Sequence, residues 1–424
     1  MIENATWISV SERKVKRGRI WIEDGVIRKL GDFDPPEGVD LIDGEGCCIL
    51  PGFVNAHTHS PMVLLRGRAE DLPFRRWLEE AIWPRERFFS REDIYWASLL
   101  AIMEMIKSGI TCFLDHYFYL DEVATACQET GIRAVLAVGM GGRSYGFKDG
   151  IYMAEKWHGA LDGRIRVAFG PHSVYMCDRS LLKKVREEAL KRELKIHLHL
   201  LEREDERDAC LKIHGEDPLS LLQSLGYDEV PLIAVHLTSI NREEVKKISH
   251  WNIGVVHCPT SNLKLGSGIA PVYDLISNGV DVALGTDGAA SNNSLSMWGE
   301  MKLAPLLQKG VLKNATIISA WEALEMATFK GAKMLGFDRL GDIREGWEAD
   351  LVFLNLDSIH YVGAREEDMA YFIVYSGRES DVLKVMVKGR LLYENGRFLT
   401  LDEDFIKKEV FRRMKAMEEG EIKL

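Results

Sequence analysis

From Gly52 onward the chain alternates short apolar runs with long amphipathic stretches, and this rhythm constrains its fold more than any other feature. The runs fall at residues 53–57, 111–116, 133–138, 165–171, 195–201, 232–236, 253–257 and 280–285. Helical-period patterns fill the gaps, as at 92–107, 121–130, 179–192 and 242–249. A continuous apolar run suits a strand covered on both faces, which is the condition of a parallel sheet. Eight such units over roughly 235 residues match the usual size of a (β/α)8 barrel. A doubly wound open sheet is the alternative, but no Gly-rich dinucleotide loop follows the first run.

The flanks read differently. Short strands are predicted at 5–10, 19–23, 26–30 and 47–50, with turns at Asp24-Gly25 and Asp43-Gly44. Strand patterns return after about Gly341, at 350–354, 382–387 and 390–393, and Glu394-Asn395-Gly396-Arg397 reads as a hairpin turn. Fifty residues are too few for a domain alone, so the two ends are expected to join. The predicted fold is α/β: a (β/α)8 TIM-like barrel at 51–340, inserted in a small β-sandwich domain built from 1–50 and 341–424.

Composition excludes several classes of function. A formal net charge of -11 argues against a nucleic-acid surface. No apolar run is long enough to cross a bilayer, so no membrane partner is expected. The start, Met1-Ile2-Glu3-Asn4-Ala5, lacks the basic and apolar regions of a signal peptide, which leads to the expectation of a cytoplasmic protein. Seven scattered cysteines without a C-x-x-C pair speak against a structural zinc knuckle or a redox dithiol. The oligomeric state, a homo-oligomer included, is left open.

In a barrel of this kind the active groups sit at the C-terminal ends of the strands. The polar residues obey that restriction. His57 and His59 close the first run, Asp115 and His116 the second, and His172 follows the fourth. His197 and His199 lie in the fifth with Glu202 just beyond; His236 and His257 close the sixth and seventh; Asp287 follows the eighth. Residues two apart on a strand share a face, so His57 and His59 can hold one divalent metal. Asp287 before Gly288 would alone read as a turn-former or N-cap. With histidines in the same barrel mouth it reads as a further ligand. Spacing does not choose between His197 and His199. Glu202, three beyond His199, faces the mouth only if the chain turns at Leu200 or Leu201.

Several motifs carry a resemblance: Pro51-Gly52-Phe53-Val54-Asn55-Ala56-His57-Thr58-His59, Trp83-Pro84-Arg85-Glu86, Gly170-Pro171-His172, His197-Leu198-His199-Leu200-Leu201-Glu202, His257-Cys258-Pro259-Thr260-Ser261-Asn262 and Gly285-Thr286-Asp287-Gly288. In this order they resemble the amidohydrolase superfamily, and within it the branch of methylthioadenosine/S-adenosylhomocysteine deaminases and the related triazine chlorohydrolases. The likeness spans nearly the whole chain. It implies one divalent metal ion, usually Zn2+, held by His57, His59, His199 and Asp287, and so selects His199 over His197. Iron, manganese or nickel also suit such a His/Asp set. Binuclear relatives carry a carboxylated lysine after the fourth strand; Phe169-Gly170-Pro171-His172 has none, in keeping with a single ion.

The resemblance also implies roles. Asp287 would take the proton of the attacking water, Glu202 would bind the substrate and protonate a ring nitrogen, and His236 would stabilise the new oxygen or relay a proton to the leaving amine. Glu86 would bind ribose hydroxyls and His172 the purine, while Arg143, or Lys148 nearby, would meet a homocysteine carboxylate. The implied reaction is hydrolytic deamination of an adenine nucleoside (5'-methylthioadenosine, S-adenosylhomocysteine or adenosine), giving ammonia and an inosine-type product. Two departures stand out: Ser296 where relatives often carry Asp, and His236-Leu237 where they often carry His-Cys. The alternatives are a chlorohydrolase or a guanine or other amino-heterocycle deaminase, and a non-catalytic metal-binding scaffold. Glu86 separates out the first, because only a sugar needs a ribose clamp. Glu202 and Asp287 argue against the second, because a structural site needs no free carboxylate.

Overall fold

The structure, a computed structural model, describes residues 1–68, 70–141 and 146–421. Its centre is an eight-stranded parallel sheet in which each strand pairs with the next in chain order. The strands are β1 (Phe53–Thr58), β2 (Ile110–Tyr117), β3 (Arg133–Met140), β4 (Ile165–Pro171), β5 (Ile196–Leu200), β6 (Leu232–His236), β7 (Ile253–His257) and β8 (Asp281–Leu284). Every residue of β1, β2, β5 and β6 is buried, as continuous apolar runs require when both faces are covered.

The seam between β1 and β8 closes the sheet into a barrel by polar contacts beyond the strand ends. The Asp287 N–H donates to the His57 carbonyl at 3.0 Å. The Asn55 side chain accepts from Thr286 N–H at 2.9 Å and donates to Thr286 Oγ1 at 2.7 Å. Gly285 is needed at this seam, since a Cβ there would stand 2.9 Å from the His57 backbone nitrogen.

The outer helices begin where the sequence supplies caps. Ser90 and Asp93 form a capping box ahead of Arg91–Lys107, Asp178 caps Arg179–Arg192, and Asn241 caps Arg242–Ile248. No helix among the described residues is long and apolar enough to cross a membrane.

Both chain ends build one mixed nine-stranded sheet. The N-terminal part supplies Ile2–Ser9, Lys14–Glu23, Val26–Gly31, Ile42–Asp43 and Cys47–Pro51. The C-terminal part supplies Leu351–Asn355, Val382–Val387, Arg390–Glu394 and Arg397–Phe398. They join where Cys47–Pro51 runs antiparallel to Leu351–Asn355. Two tight hairpins carry the expected turn chemistry: Asp24-Gly25 and Asn395-Gly396 all have positive φ, the requirement of the two-residue turn that matches strand twist. The chain closes with a helix, Glu403–Glu421, which the strand-rich pattern of the tail did not announce. Its Arg413 is buried against Asp93 at 2.9 Å.

A buried ionic cluster ties the sheet to the barrel. Arg133, at the start of β3, reaches Asp350 through two hydrogen bonds of 2.8 and 2.9 Å and Glu348 at 2.7 Å. The Arg133 and Asp350 side chains are 3% and 1% exposed. Truncating one member would strand the other's charge in the interior. Arg133→Ala is therefore expected to lower stability by about 3–5 kcal/mol. Differential scanning calorimetry measures this as a fall in Tm; an unchanged Tm would contradict the assignment.

Candidate active site

The C-terminal ends of the strands bring eight histidines, Asp115, Glu202 and Asp287 to the barrel mouth, and Glu86 reaches its rim from a short helix. The local backbone explains how. β1 ends on His57-Thr58-His59, and the turn after it is pinned by Asp115 at the end of β2. The Asp115 carboxylate accepts from Ser60 N–H at 2.6 Å, Ser60 Oγ at 2.7 Å and Thr58 Oγ1 at 3.0 Å. Asp287 sits in the left-handed region at φ 62°, as do Leu201 at 49° and His236 at 82°. Side-chain-bearing residues resist this conformation, and such strain gathers at functional sites. Leu201 is the turn that the position of Glu202 demanded: with it, Glu202 leaves the strand alternation and enters the mouth.

The hydrogen bonds of the imidazoles fix their tautomers. The His59 Nδ1–H donates to the His116 carbonyl at 2.5 Å, and the His199 Nδ1–H to the His172 carbonyl at 2.8 Å. Each leaves its Nε2 free to face the mouth. His57 Nδ1 lies 2.9 Å from His197 Nε2, so His197 stands behind His57. The His57 Nε2 is buried without an aligned hydrogen-bond partner, 3.3 Å from Asp287 Oδ1; His59 Nε2 is 3.3 Å from the same oxygen. Among the described residues, three groups bring their ligand atoms within 4.8 Å of one another: His57, His59 and Asp287; His57, His199 and His236; and His59, His116 and His199. Backbone-oriented imidazoles with free nitrogens beside a carboxylate are the donor set of a divalent metal site.

Electrostatics separates the carboxyl groups. Burial alone would raise Asp287, but the adjacent His57 and His59 imidazoles, each with Nε2 3.3 Å from Oδ1, hold it well below the usual carboxylate range. Burial raises Glu202, with the nearby His236 only partly offsetting it. Glu202 Oε2 lies 4.0 Å from His236 Nε2. The His236 Nδ1–H is committed to Asn262 Oδ1 at 2.8 Å, so its Nε2 lone pair faces Glu202. One acid is pushed towards its ionised form and the other towards its protonated form, the division of labour that acid–base catalysis needs.

Glu86, half-buried at the end of a short helix (Trp83–Glu86), reaches the rim beside β2, where Tyr117 Oη–H donates to its Oε1 at 2.5 Å. Burial raises Glu86 as well. The His172 ring lies 4.6 Å from that of His199, its Nδ1 unpartnered, and burial pushes it down to about 3, so it is neutral. Arg143 lies outside the described residues. Lys148 is exposed on the helix Phe147–Trp157. Neither ring nitrogen of the buried His257 has a partner.

Sequence reasoning missed the residues that hold these groups. Ser261 Oγ–H donates to Asp287 Oδ2 at 2.6 Å, and Asn262 orients His236. Both belong to the run of small polar residues after β7, whose position at a strand end was the available signal. Buried Glu300 accepts from Thr260 N–H at 3.1 Å and Asn292 Nδ2 at 2.8 Å, tying the loops after β7 and β8 together. It lies on a distant helix, Met297–Leu312, with no motif to mark it.

A barrel with this imidazole and carboxylate cluster in its mouth has the build of a metal-dependent barrel hydrolase. The amidohydrolase family model matches residues 48–392, and the chain belongs to that family. It is 43% identical to a 5-methylthioadenosine/S-adenosylhomocysteine deaminase of Dictyoglomus thermophilum, over 96% of each chain. It is 39% identical to a 5'-deoxyadenosine deaminase of Methanosarcina acetivorans, over 93% of this chain and 92% of the other. Its structure superposes, with a TM-score of 0.92 and 30% identity over 98% of each chain, on an adenosine deaminase from Xanthomonas campestris with bound zinc.

If His59 is a metal ligand, the site's charge would make cation uptake dependent on pH. Burial opposes protonation of His59, but Asp287 overrides it and lifts that imidazole to about 9, so it is cationic at pH 7 in the cation-free protein. A metal ligand must be a neutral imidazole. Loading the cation-free protein with Zn2+ at pH 7 is expected to release about one proton from this imidazole, and apparent affinity should fall as pH drops below that value. Calorimetric titration in buffers of different ionisation enthalpy measures the release; an enthalpy independent of buffer would contradict it.

Proposed function

We propose that this chain is a hydrolytic deaminase of adenine nucleosides, releasing ammonia and an inosine-type product. The observation that carries the reading is the pair of unlike acids. Burial shifts Glu202 towards its protonated form opposite the His236 Nε2 at 4.0 Å, while Asp287, between His57 and His59, is shifted the other way. Purine deamination needs that combination, because water attacks C6 while the neighbouring ring nitrogen gains a proton. The deaminase names of the relatives support the same reading, and with it 5'-methylthioadenosine, S-adenosylhomocysteine, 5'-deoxyadenosine and adenosine as substrates to test.

We also propose one divalent cation, zinc by analogy with the bound zinc of the structural neighbour, held by His57, His59, His199 and Asp287. The residues fit. The Nδ1 atoms of His59 and His199 are committed to backbone carbonyls, the buried His57 Nε2 lacks a partner, and no lysine follows β4. When bound, such a cation supplies a water acidified towards neutrality.

The side chains divide the remaining work. Asp287 receives the water's proton. Glu202 delivers its proton to the ring nitrogen beside C6, the bare His236 Nε2 takes the second proton of the water as C6 becomes a carbonyl and relays it to the departing amine, and the proton held by Asp287 restores Glu202; each transfer is typically worth about 10²–10⁴-fold. His172, neutral, hydrogen-bonds the purine. Glu86 has one oxygen engaged by Tyr117 and offers the other to a ribose hydroxyl. A carboxylate-bearing 5' substituent falls to Arg143.

Segments 1–50 and 341–424 act, on this reading, as one terminal domain around the catalytic barrel of 51–340, a division supported by the ladder between Cys47–Pro51 and Leu351–Asn355. The seven buried free cysteines suit a reducing, cytoplasmic setting.

An ultraviolet assay of zinc-loaded protein with the four nucleosides tests the reading. Loss of the amino group shifts the purine absorbance, and no shift with any of them would rule the reading out. Glu202→Gln is expected to keep its metal while kcat falls by about 10²–10⁴-fold. Loss of metal from that variant, measured by elemental analysis, would make Glu202 a ligand instead of the proton donor.

A further inference from the structure

Four residues beyond Glu202, within a run of charged residues whose neighbours reach solvent, Glu206 is buried, with 4% of its surface exposed. Among the described residues no cation pairs with it. The adjacent Arg207 spends its guanidinium on Glu244 and Asp217, at 2.8 and 2.9 Å. Burying a carboxyl without such a partner is costly, so its contacts must return something.

Its main contact is with the residue that matters to the chemistry: Glu206 Oε2 accepts the Glu202 backbone N–H at 3.0 Å. The same turn is held from the opposite side. Thr238 Oγ1–H donates to the Glu202 carbonyl at 2.6 Å, and Ser239 binds the Leu201 carbonyl through its N–H at 3.0 Å and its Oγ at 3.1 Å. Between these anchors Leu201 is kept left-handed, which directs Glu202 into the mouth. The segment after β6 thus supplies the donors and Glu206 the acceptor that closes the clamp. Its second oxygen, Oε1, is buried without a partner, so packing alone does not account for a carboxyl at this position.

We infer that Glu206 is a positioning residue for the reaction: it fixes the Leu201-Glu202 turn so that the Glu202 carboxyl stays aimed across the mouth at His236. The inference rests on the reading of Glu202 as proton donor. It differs from a general stabilising role, because the acceptor atom, and not the charge, is what the turn uses.

Two variants separate these roles. Glu206→Leu keeps the volume and removes the acceptor; Glu206→Gln keeps a carbonyl oxygen that accepts the same N–H. For Glu206→Leu, kcat should fall by about 10²-fold, the scale of a misplaced catalytic group. KM should stay within about threefold of wild type and zinc content should be unchanged, since uniform binding is untouched. Glu206→Gln should retain kcat within about fivefold, and adding Glu206→Leu to Glu202→Gln should cost less than about twofold more, because groups acting as one unit are not additive.

The inference is overturned if Glu206→Leu keeps wild-type kcat, if Glu206→Gln falls as far as Glu206→Leu, or if the two losses multiply in the double variant. Should Glu206→Leu not fold, Glu206→Ala takes its place with the same outcomes. A wild-type enzyme inactive on every nucleoside would defeat the deaminase reading alone. A crystal structure of the Glu206 variant would then decide: a displaced Glu202 carboxyl supports the inference, and an unmoved one overturns it.

Discussion

The site depends on where each imidazole spends its Nδ1 proton. His59 gives it to the His116 carbonyl and His199 to the His172 carbonyl, while His57 is backed by His197. A histidine tied on one nitrogen has its ring plane fixed and its other nitrogen turned to the mouth. The barrel therefore delivers aimed nitrogens, and the backbone of neighbouring strand ends does the aiming. A carbonyl acceptor cannot swap roles, so the tautomers of His59 and His199 do not depend on what binds in front of them.

The second constraint is backbone strain at the rim. Leu201, His236 and Asp287 all take positive φ, which side-chain-bearing residues adopt only when their surroundings compel them. Each has its compulsion. The Asp287 N–H closes the barrel seam on His57, His236 is held by Asn262, and the Leu201 turn is gripped between Glu206 and the Thr238-Ser239 segment after β6. The effect is to turn carboxyl groups inward from positions where strand alternation would point them elsewhere. Stability from the covered barrel and the Arg133 cluster sustains this strain.

Much of this was legible in the sequence because strand burial and strand-end chemistry are local. Eight apolar runs mark eight buried strands, and β4, β6 and β7 begin and end where their runs do. The hairpin turns at Asp24-Gly25 and Asn395-Gly396 were readable for the same reason: a turn type demands positive φ at fixed positions. His57, His59, His199, His236 and Asp287 all occur at strand ends, where a barrel places its chemistry. What was not legible is tertiary. Glu300 braces two loops from a helix with no motif, and Asn55 closes the seam from 231 residues away in sequence. The final helix, Glu403–Glu421, follows strands and turns, so the rhythm of the tail misled. Spacing alone could not rank His197 against His199, because the two share a face; the hydrogen bond from His57 to His197 is a contact no spacing records.

On the proposed reading, these oriented nitrogens and Asp287 converge on one cation, with Glu202 and His236 facing it. Anomalous diffraction from crystals of the zinc-loaded protein, collected on both sides of the zinc absorption edge, tests this most directly. The account expects a single peak bonded to the Nε2 atoms of His57, His59 and His199 and to the Asp287 carboxylate, with Glu202 outside the coordination sphere. Two peaks, or one bonded through His116 or Glu202, would contradict it.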